Sequence, residues 1–537
     1  MNQLNKILAV YLVPLWKSYI KAIILIIITA WISVKIPEVV AQAVNGNLDA
    51  SHRLPLTVIG LGCLQMIVRT YSRLFVFTPA RELEETLKNT LFSKLMSAPL
   101  VWLQKRQVGD LQSLINSDTG HIRVFLGLGG LQVTSFVTLA FFAISKMLSI
   151  HVTLTLITLI PLLFAIPILR FGMPKVMKLN VEQQKILGSL TSKITEAFVN
   201  VHVIQSTASE STFIERIRLK SEELRKLNLS MLKIRLLIFP VLPLLTGISS
   251  FLIFLYGGYE AISGRLTTGD IIAFTSYVAL LAFPLGIIGM VLAMWQRAEA
   301  AAKRIAVALE TDSEDSSLHQ VVAQQRILSI KNLSFGFDTP LLRDVSFEVQ
   351  PGQIFGVAGP IGSGKTTLLS LTSCLIQPPP GTVFVDGVDI ASLDAREVRR
   401  IIGLVPQTPQ LFSVSIRENL LSGSNISDDE IWKVLDIACI KQDIKSMSQG
   451  LESPIGEKGI RLSGGQKQRL ALARQLIRNT PILLLDDVIS AVDQITEDRI
   501  LNELRALKRT VVLVTHRESA LLRCDHILRL GGSNEAL

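Results

Sequence analysis

The sequence predicts a multi-domain membrane protein: an all-α domain of six membrane-crossing helices, followed by an α/β domain. Three observations predict it. Hydrophobic residues make up 49% and charged residues only 18% of the 537-residue chain, an apolar balance for a soluble protein. Apolar stretches of the length a spanning helix needs recur through residues 1–300. Beyond residue 326, short β-rich runs alternate with helical ones, the pattern of an α/β domain.

The charge is divided along the same line. Residues 1–300 carry 28 Lys+Arg against 16 Asp+Glu, and residues 301–537 carry 26 against 28, so the net +10 is the sum of +12 and −2. The basic excess lies wholly in the apolar half. Basic loops beside membrane helices mark the cytoplasmic side, so this excess points to lipid and not to nucleic acid. The cysteines at 63, 374, 439 and 524 have no paired or metal-like spacing and read as buried thiols in a reducing compartment.

Residues 1–17 read as an elbow along the cytoplasmic membrane face, because their apolar run is short and broken by Pro14. A cleavable signal is not expected there. The transmembrane domain, 18–300, holds candidate spans at 18–40, 54–77, 131–148, 152–171, 234–259 and 271–295. The second contains Arg69 and Arg73, one helical turn apart, which either line a pathway or snorkel to headgroups. Segment 170–235 holds twelve Lys/Arg and six Asp/Glu, which places it, 78–130 and the N-terminus in the cytoplasm. Apolar spacing in LEETLKNTLFSKLM extends the spans as amphipathic cytoplasmic helices. Phe274, Tyr277 and Phe283 on the sixth span meet apolar cargo, face lipid or pack, the last two being the commoner roles. Residues 301–325 form a helical and then polar linker, and 326–537 the α/β domain. Its expected strands are RILSIKNLSF, VSFEV, QIFGVAG, TVFVDG, RIIGLVP, ILLLDD and TVVLVTH.

The chemistry concentrates in that last domain. GPIGSGKT follows a strand-like run and opens a helix, the full phosphate-loop pattern of a P-loop NTPase. Gly359, Pro360, Ile361, Gly362, Ser363 and Gly364 would wrap ATP phosphates with backbone N–H groups. Lys365 would set a charge on the β- and γ-phosphates, Thr366 would ligate Mg²⁺, and Thr367 continues the helix. PILLLDD is an apolar strand ending in acids: Asp486 fits the Mg²⁺ carboxylate, and Asp487 stands where a general base for water belongs. Leu462, Ser463, Gly464, Gly465 and Gln466 spell LSGGQ before a strong helix, an anion site built from a helix N-terminus.

The order of these motifs resembles the ATP-binding cassette (ABC) proteins, and the resemblance covers nearly the whole chain. It implies further roles. Phe337 falls where an aromatic ring stacks on adenine. Gln407 resembles the glutamine that touches Mg²⁺ and the attacking water. SPIGEKG, with Glu457, resembles the exporter-specific loop before the signature, SAVD (490–493) the loop that meets the opposite cassette, and His516 the switch histidine on the γ-phosphate. LFSKLMSAPLVWLQKRQVGDLQSLINSDTGHI resembles the first cytoplasmic loop of six-helix exporters. Segments 113–121 and 199–207 resemble the short coupling helices at loop tips that dock on cassettes, one of them near Gln407 and Glu457.

The implied protein is an exporter-type half-transporter: a six-helix transmembrane exporter domain fused to an α/β P-loop NTPase ABC domain. It would use ATP and Mg²⁺, sit in a bacterial plasma membrane, and require a second half-transporter, since each ATP lies between one phosphate loop and the other chain's signature. The base position, usually Glu, is Asp487, one methylene shorter. That resembles the degenerate member of an asymmetric pair, so a heterodimer is favoured over a homodimer. An ATP-binding regulatory subunit is the alternative, and an importer ATPase fits poorly because the membrane domain is on the same chain. The chain ends twelve residues after Asp525, so no regulatory tail is expected. No peptidase domain precedes the membrane half, and leader processing is not expected. The cargo is not legible.

Overall fold

The computed structural model describes residues 3–46, 53–238, 240–311, 326–336, 339–421, 426–456, 459, 462–490 and 492–531. It divides into two compact units: Met1–Lys94 with Val108–Glu310, and Leu95–Gln107 with Thr311–Leu537.

The first unit is helical. Its elements are α1 (Gln3–Tyr11), α2 (Trp16–Val44), α3 (Arg53–Met96) and, after the short α4 (Leu100–Gln104) of the other unit, a continuous helix α5 (Val108–Ile150). Then follow α6 (Val152–Leu163), α7 (Ala165–Val199), α8 (Val201–Ser206), α9 (Glu210–Ile238), α10 (Val241–Leu252) and α11 (Thr268–Leu309). Each expected span falls in these helices. The fourth is broken at Phe164, three residues before Pro167, and the fifth near Pro240, because each missing proline N–H leaves the carbonyl four residues earlier without its helical donor. By length and apolarity alone, Val13–Val44, Val108–Ile150 and Glu210–Ile262 qualify as membrane spans, with Val152–Leu163 and Thr268–Ala282 as shorter apolar helices. The segment around Arg69 and Arg73 does not reach that threshold among the described residues.

The spans do run on as amphipathic helices. The 44 residues of α3 correspond to about 66 Å, twice the hydrocarbon thickness. Leu83, Leu87, Leu91 and Leu95 make a buried stripe down its far end, the i, i+4 spacing of one helix face. Likewise α11 carries the sixth span without a break to Leu309, past the expected boundary at 300.

One expected loop tip is displaced. Residues 113–121 lie inside α5, in a stretch that includes a π-helical turn at Leu114–Asp118. The turn after α3 instead contains α4, in the segment Leu95–Gln107 that groups with the second unit. Pro99 is the N-cap of α4 and supplies the chain break that the sequence reading placed too late. The second tip, 199–207, does contain a short helix, α8, between α7 and α9.

Phe274 and Tyr277 pack. Both are fully buried in a core with Met147, Leu154, Ile253 and Val278, so neither faces open space; the Phe283 side chain lies outside the described residues. The start of α11 is fixed by a capping box, with Thr267 accepting from Asp270 N and Asp270 accepting from Thr267 N. Here Gly269 is required by contact, because a Cβ would stand 2.2 Å from Ala41 O on α2. Its N–H donates to Asn45 Oδ1 at 2.8 Å.

The second unit is α/β. Its central sheet is parallel, in the order β6 (Ile402–Val405), β7 (Ile482–Asp486), β8 (Thr510–Val514), β3 (Ile354–Ala358), β9 (His526–Arg529). Strands β3, β7 and β8 are buried throughout, as continuous Val/Ile/Leu runs require in a sheet covered on both faces. An antiparallel sheet has the order β2 (Pro340–Val349), β1 (Leu328–Gly336), β4 (Val383–Val385), β5 (Val388–Asp389). All seven expected strands are present. Cys374 is buried, Cys439 and Cys524 are half-buried and Cys63 is exposed, and among the described residues none forms a disulfide, so the expectation of buried thiols fails at Cys63.

Candidate functional site

The site grows from the ends of two buried strands. β3 delivers the chain into Gly359–Gly364, and α12 (Lys365–Thr372) leaves it. Gly364 has φ +92°, and a Cβ there would meet Leu342 Cδ2 at 2.8 Å. Only glycine meets both demands. Strand β7, separated from β3 by β8, ends on Asp486, which accepts a hydrogen bond from Thr366 Oγ1 at 2.9 Å. Two of the three residues assigned to Mg²⁺, Thr366 and Asp486, are thus already joined across 120 positions of chain.

Lys365 is 8% exposed. Its Nζ donates to the carbonyls of Gly359 at 2.7 Å and Pro360 at 2.8 Å, curling back over the loop. Burial pushes this ammonium below the ordinary lysine range, against the attraction of Asp486 and Asp487. Asp486 moves the other way. Burial raises its carboxyl above the usual carboxylate range, the Thr366 hydroxyl lowers it, and the Asp487 charge raises it further. His516 lies close enough to act on Asp486 as well. It lines a cavity of about 400 Å³ together with Gly359, Pro360 and Arg529. Ile361 stands almost fully exposed at the loop tip, while Thr367 is half-buried on α12.

Asp487 follows the strand with φ +52°, a left-handed conformation in a non-glycine residue. The backbone is held on both sides of it. Its N–H donates to Val514 O at 2.9 Å, and its carbonyl accepts from Ser490 Oγ at 2.8 Å. The side chain is 9% exposed, and among the described residues its Oδ1 is buried without a hydrogen bond. Ser363 Oγ, in the phosphate loop, is another such atom.

These features fit ATP and Mg²⁺. Two buried polar atoms, Asp487 Oδ1 and Ser363 Oγ, lack partners among the described residues, and a buried lysine is satisfied by loop carbonyls. Lys365 and the loop N–H groups would hold the phosphates. Thr366, Asp486 and Gln407 would hold the metal.

Gln407 is exposed at its side chain, and the sequence reading missed what ties it to the site. Gln468 Nε2 donates to Gln407 O at 3.1 Å and to Asp487 O at 3.4 Å. Nothing in KQRLALARQ singles out Gln468 as a bridge. Arg517 was missed too. It donates to Ser490 O at 2.6 Å, Val492 O at 2.7 Å and Glu497 at 2.8 Å. It thereby ties the residue after His516 to the SAVD loop.

The LSGGQ segment stands apart. Ser463 caps α13 (Gly464–Ile477) in a reciprocal box with Gln466, and Gln466 Nε2 donates to Asp443 at 2.9 Å. Leu462 is buried while Ser463 and Gly464 are exposed, and Gly465 and Gln466 are half-buried. Among the described residues, no hydrogen bond or ion pair connects this segment to the phosphate loop. Phe337 and Glu457 lie outside the described residues.

Comparison with known proteins gives the same picture over nearly the full length. The ABC transporter transmembrane region family matches residues 18–285, and the ABC transporter family matches 342–490. An uncharacterized ABC transporter ATP-binding protein, YknU, of Bacillus subtilis (strain 168) is 30% identical over 452 residues, covering 82% of this chain and 77% of that protein. A probable multidrug resistance ABC transporter ATP-binding/permease protein, YheI, of the same strain is 29% identical, covering 96% and 91%. An ATP-dependent lipid A-core flippase of Syntrophus aciditrophicus (strain SB) is 29% identical, covering 90% and 82%. The structure of a bacterial Atm1-family ABC exporter with ATP bound aligns at TM-score 0.80, covering 96% of this chain and 94% of the other at 24% identity.

Proposed function

Because the chain belongs to the ABC transporters, as an ATPase-type transporter in which a helical transmembrane exporter domain is fused to an ATP-binding domain, we propose that it is one half of a dimeric, ATP-driven exporter whose own site hydrolyses slowly. The observation that carries this reading is the division of the site. The phosphate loop, Asp486, Asp487 and His516 gather at one place, while LSGGQ presents its helix end elsewhere. A second chain would supply the missing LSGGQ and receive this one in return.

In this reading Lys365 and the loop N–H groups orient the triphosphate, and Thr366, Asp486 and Gln407 would hold Mg²⁺, which would supply neutralising positive charge to the phosphates. Asp487 accepts the proton of the attacking water, and His516 contacts the γ-phosphate. The left-handed backbone at Asp487 sets the direction of a short arm, and reach comes before pKa for a general base. Slow turnover follows, and with it a partner half-transporter that carries the longer Glu. The alternative, a regulatory subunit that binds ATP and hydrolyses almost none, rests on that same short arm. The intact LSGGQ cap favours a chain that still completes a partner's working site.

Phosphate release is the test, measured for the chain alone and with a candidate partner. Slow turnover alone and fast turnover in the mixture support the asymmetric pair. Brisk hydrolysis alone, unaltered by any partner, removes it. The multidrug and lipid-flippase names of the relatives make amphiphilic cargo the class to screen first.

A further inference from the structure

Gln407 sits in a loop that does not hold itself. Pro406 and Pro409 offer no N–H, and among the described residues 407–411 make no backbone–backbone hydrogen bond. Leu411, at the far end, packs into the domain core. The hydrogen bonds that place the loop come from side chains of α13, the helix that LSGGQ opens. Gln475 Nε2 donates to Leu404 O at 3.1 Å, where β6 runs into the loop, and Gln468 Nε2 donates to Gln407 O at 3.1 Å. Seven residues apart, these two amides share one helix face.

Arg474, on the same helix, makes the most of these contacts. Its Nη1 donates to Gln410 O at 3.1 Å, Nε to Asn419 O at 2.9 Å and Nη2 to Asn419 Oδ1 at 2.9 Å. Asn419 is fully buried on the short helix Ile416–Leu421 and extends the hold further back along the chain. Its Oδ1 also accepts from Phe412 N at 2.9 Å, and its Nδ2 donates to Phe412 O at 2.9 Å and to Ser415 O at 3.0 Å. The guanidinium stands 5.8 Å from the centroid of the Phe412 ring, at the outer limit of a cation–π contact.

A charge makes this arrangement costly to keep. Burial pushes the Arg474 guanidinium below the ordinary arginine range, and among the described residues no carboxylate offsets that. Its compensation comes from carbonyl and amide oxygens on two separate segments. A planar fork serves all three acceptors at fixed angles, which the single nitrogen of a lysine does not. The fork thereby fixes where residues 410 and 412 stand. Gln407 is three residues before Gln410, a span of about 10 Å at most. Pro409 stiffens that span, so a displacement at Gln410 is carried to Gln407.

We propose that Arg474, acting with Asn419, is a positioning residue that sets the loop carrying Gln407 in place to ligate Mg²⁺. The assignment rests on the reading above in which Gln407 helps to hold the metal. Neither Arg474 nor Asn419 touches the nucleotide in it; both act through the loop.

The test uses the full-length chain in phosphatidylcholine nanodiscs and a fluorescent, non-hydrolysable ATP analogue. Its affinity is measured once with Mg²⁺ and once with EDTA, and the ratio of the two reads the metal ligands without any turnover. Gln407→Ala should lower that ratio about tenfold, the loss expected for one charge-assisted contact. Arg474→Gln should lower it by about threefold to tenfold on the same scale, with the affinity in EDTA unchanged. Arg474→Gln combined with Gln407→Ala should be no worse than Gln407→Ala alone, because a residue acting through another adds nothing once that other is gone. Amide exchange within 407–412 should quicken in Arg474→Gln while β7 keeps its protection. A purely structural arginine would lower the EDTA affinity as well, and its effect would multiply with that of Gln407→Ala. That pattern, an unchanged ratio in Arg474→Gln, or unquickened exchange overturns the proposal and leaves the role of Gln407 standing. An unchanged ratio in Gln407→Ala instead sinks the metal reading of Gln407, and this proposal with it. Arg474→Lys keeps the charge and the stem and should fall between the parent and Arg474→Gln; if the Gln variant does not fold, the same double-variant comparison with Lys decides.

Discussion

Lys365 is buried while Arg69 and Arg73 are exposed along a cavity, and the two domains treat these cations in opposite ways. Lys365 is covered, satisfied by two loop carbonyls, and drawn by two carboxylates a strand away. The arginines face open volume with no acid beside them. The first arrangement is self-contained until a nucleotide displaces the carbonyls. The second is incomplete by itself. Local sequence specifies the first, because a strand, a glycine loop and a helix follow each other directly. The second is assembled from residues near 26, 69, 132 and 279, on four helices that the chain reaches one after another.

The predictions test that contrast. Lys365→Ala should produce the largest change. Loss of charge-assisted bonds, each worth about 1.5–3 kcal/mol, should lower turnover of the assembled dimer by about a hundredfold or more. Unaltered ATP affinity and phosphate release would show that the covered lysine is merely structural.

Next comes Arg517→Met, which leaves the buried Glu497 with the Ser519 hydroxyl as its remaining side-chain partner among the described residues. Because Arg517 is itself partly exposed, the cost falls below the about 3–5 kcal/mol of breaking a fully buried pair. Thermal denaturation should show clear destabilisation of the ATP-binding domain, and Arg517→Lys should recover part of it. An unchanged Tm would mean that the SAVD loop holds its place without this arginine.

Asp487→Glu is expected to raise turnover of the chain on its own by about tenfold or more, within the range attributed to a positioned base. A wild-type protein that hydrolyses briskly, with the Glu variant no faster, would make Asp487 a competent base and remove the reason for an asymmetric pair.

The smallest effect is Asp486→Asn. Burial holds the Asp486 carboxyl above its unfolded pKa, so ionisation opposes folding. The contribution of this group to stability is therefore greatest at low pH, where it is protonated in both states, and is lost as pH rises through the carboxylate range. Asn removes that loss, so the nucleotide-free variant should melt a few degrees higher at neutral pH, with the gain shrinking as pH falls. The same variant should lose the stabilisation that Mg-ATP gives. A gain that does not vary with pH would trace to packing and not to charge.

How much of this was legible follows the same divide. GPIGSGKT, PILLLDD and LSGGQ announced their own local structures, and the long strands were visible as Val/Ile/Leu runs. β5 and β9 were not: β5 has two residues and β9 is exposed at both ends, so neither carries the apolar run that marked the equally short β4 and β6. In the helical half, the spans were legible as apolar length, but the loop tip was not. Residues 113–121 are polar, as a tip would be, yet they continue a helix through π-helical turns that no period of 3.6 predicts. Phe274 and Tyr277 show the same gap. An aromatic on a spanning helix reads alike whether it faces cargo, lipid or core, and only packing placed these two in the core. Gln468 and Arg517 act through carbonyls of distant loops, a role that residue type alone does not encode.

The Gln468 amide has a mechanical consequence. By gripping the carbonyls of Gln407 and Asp487 together, it makes the positions of two loops a single coordinate. A displacement that pulls Gln407 outward must either drag Asp487 with it or break the grip. With the roles proposed above, gating and chemistry would share one clutch, and shortening that side chain by one carbon would let each slip independently of the other.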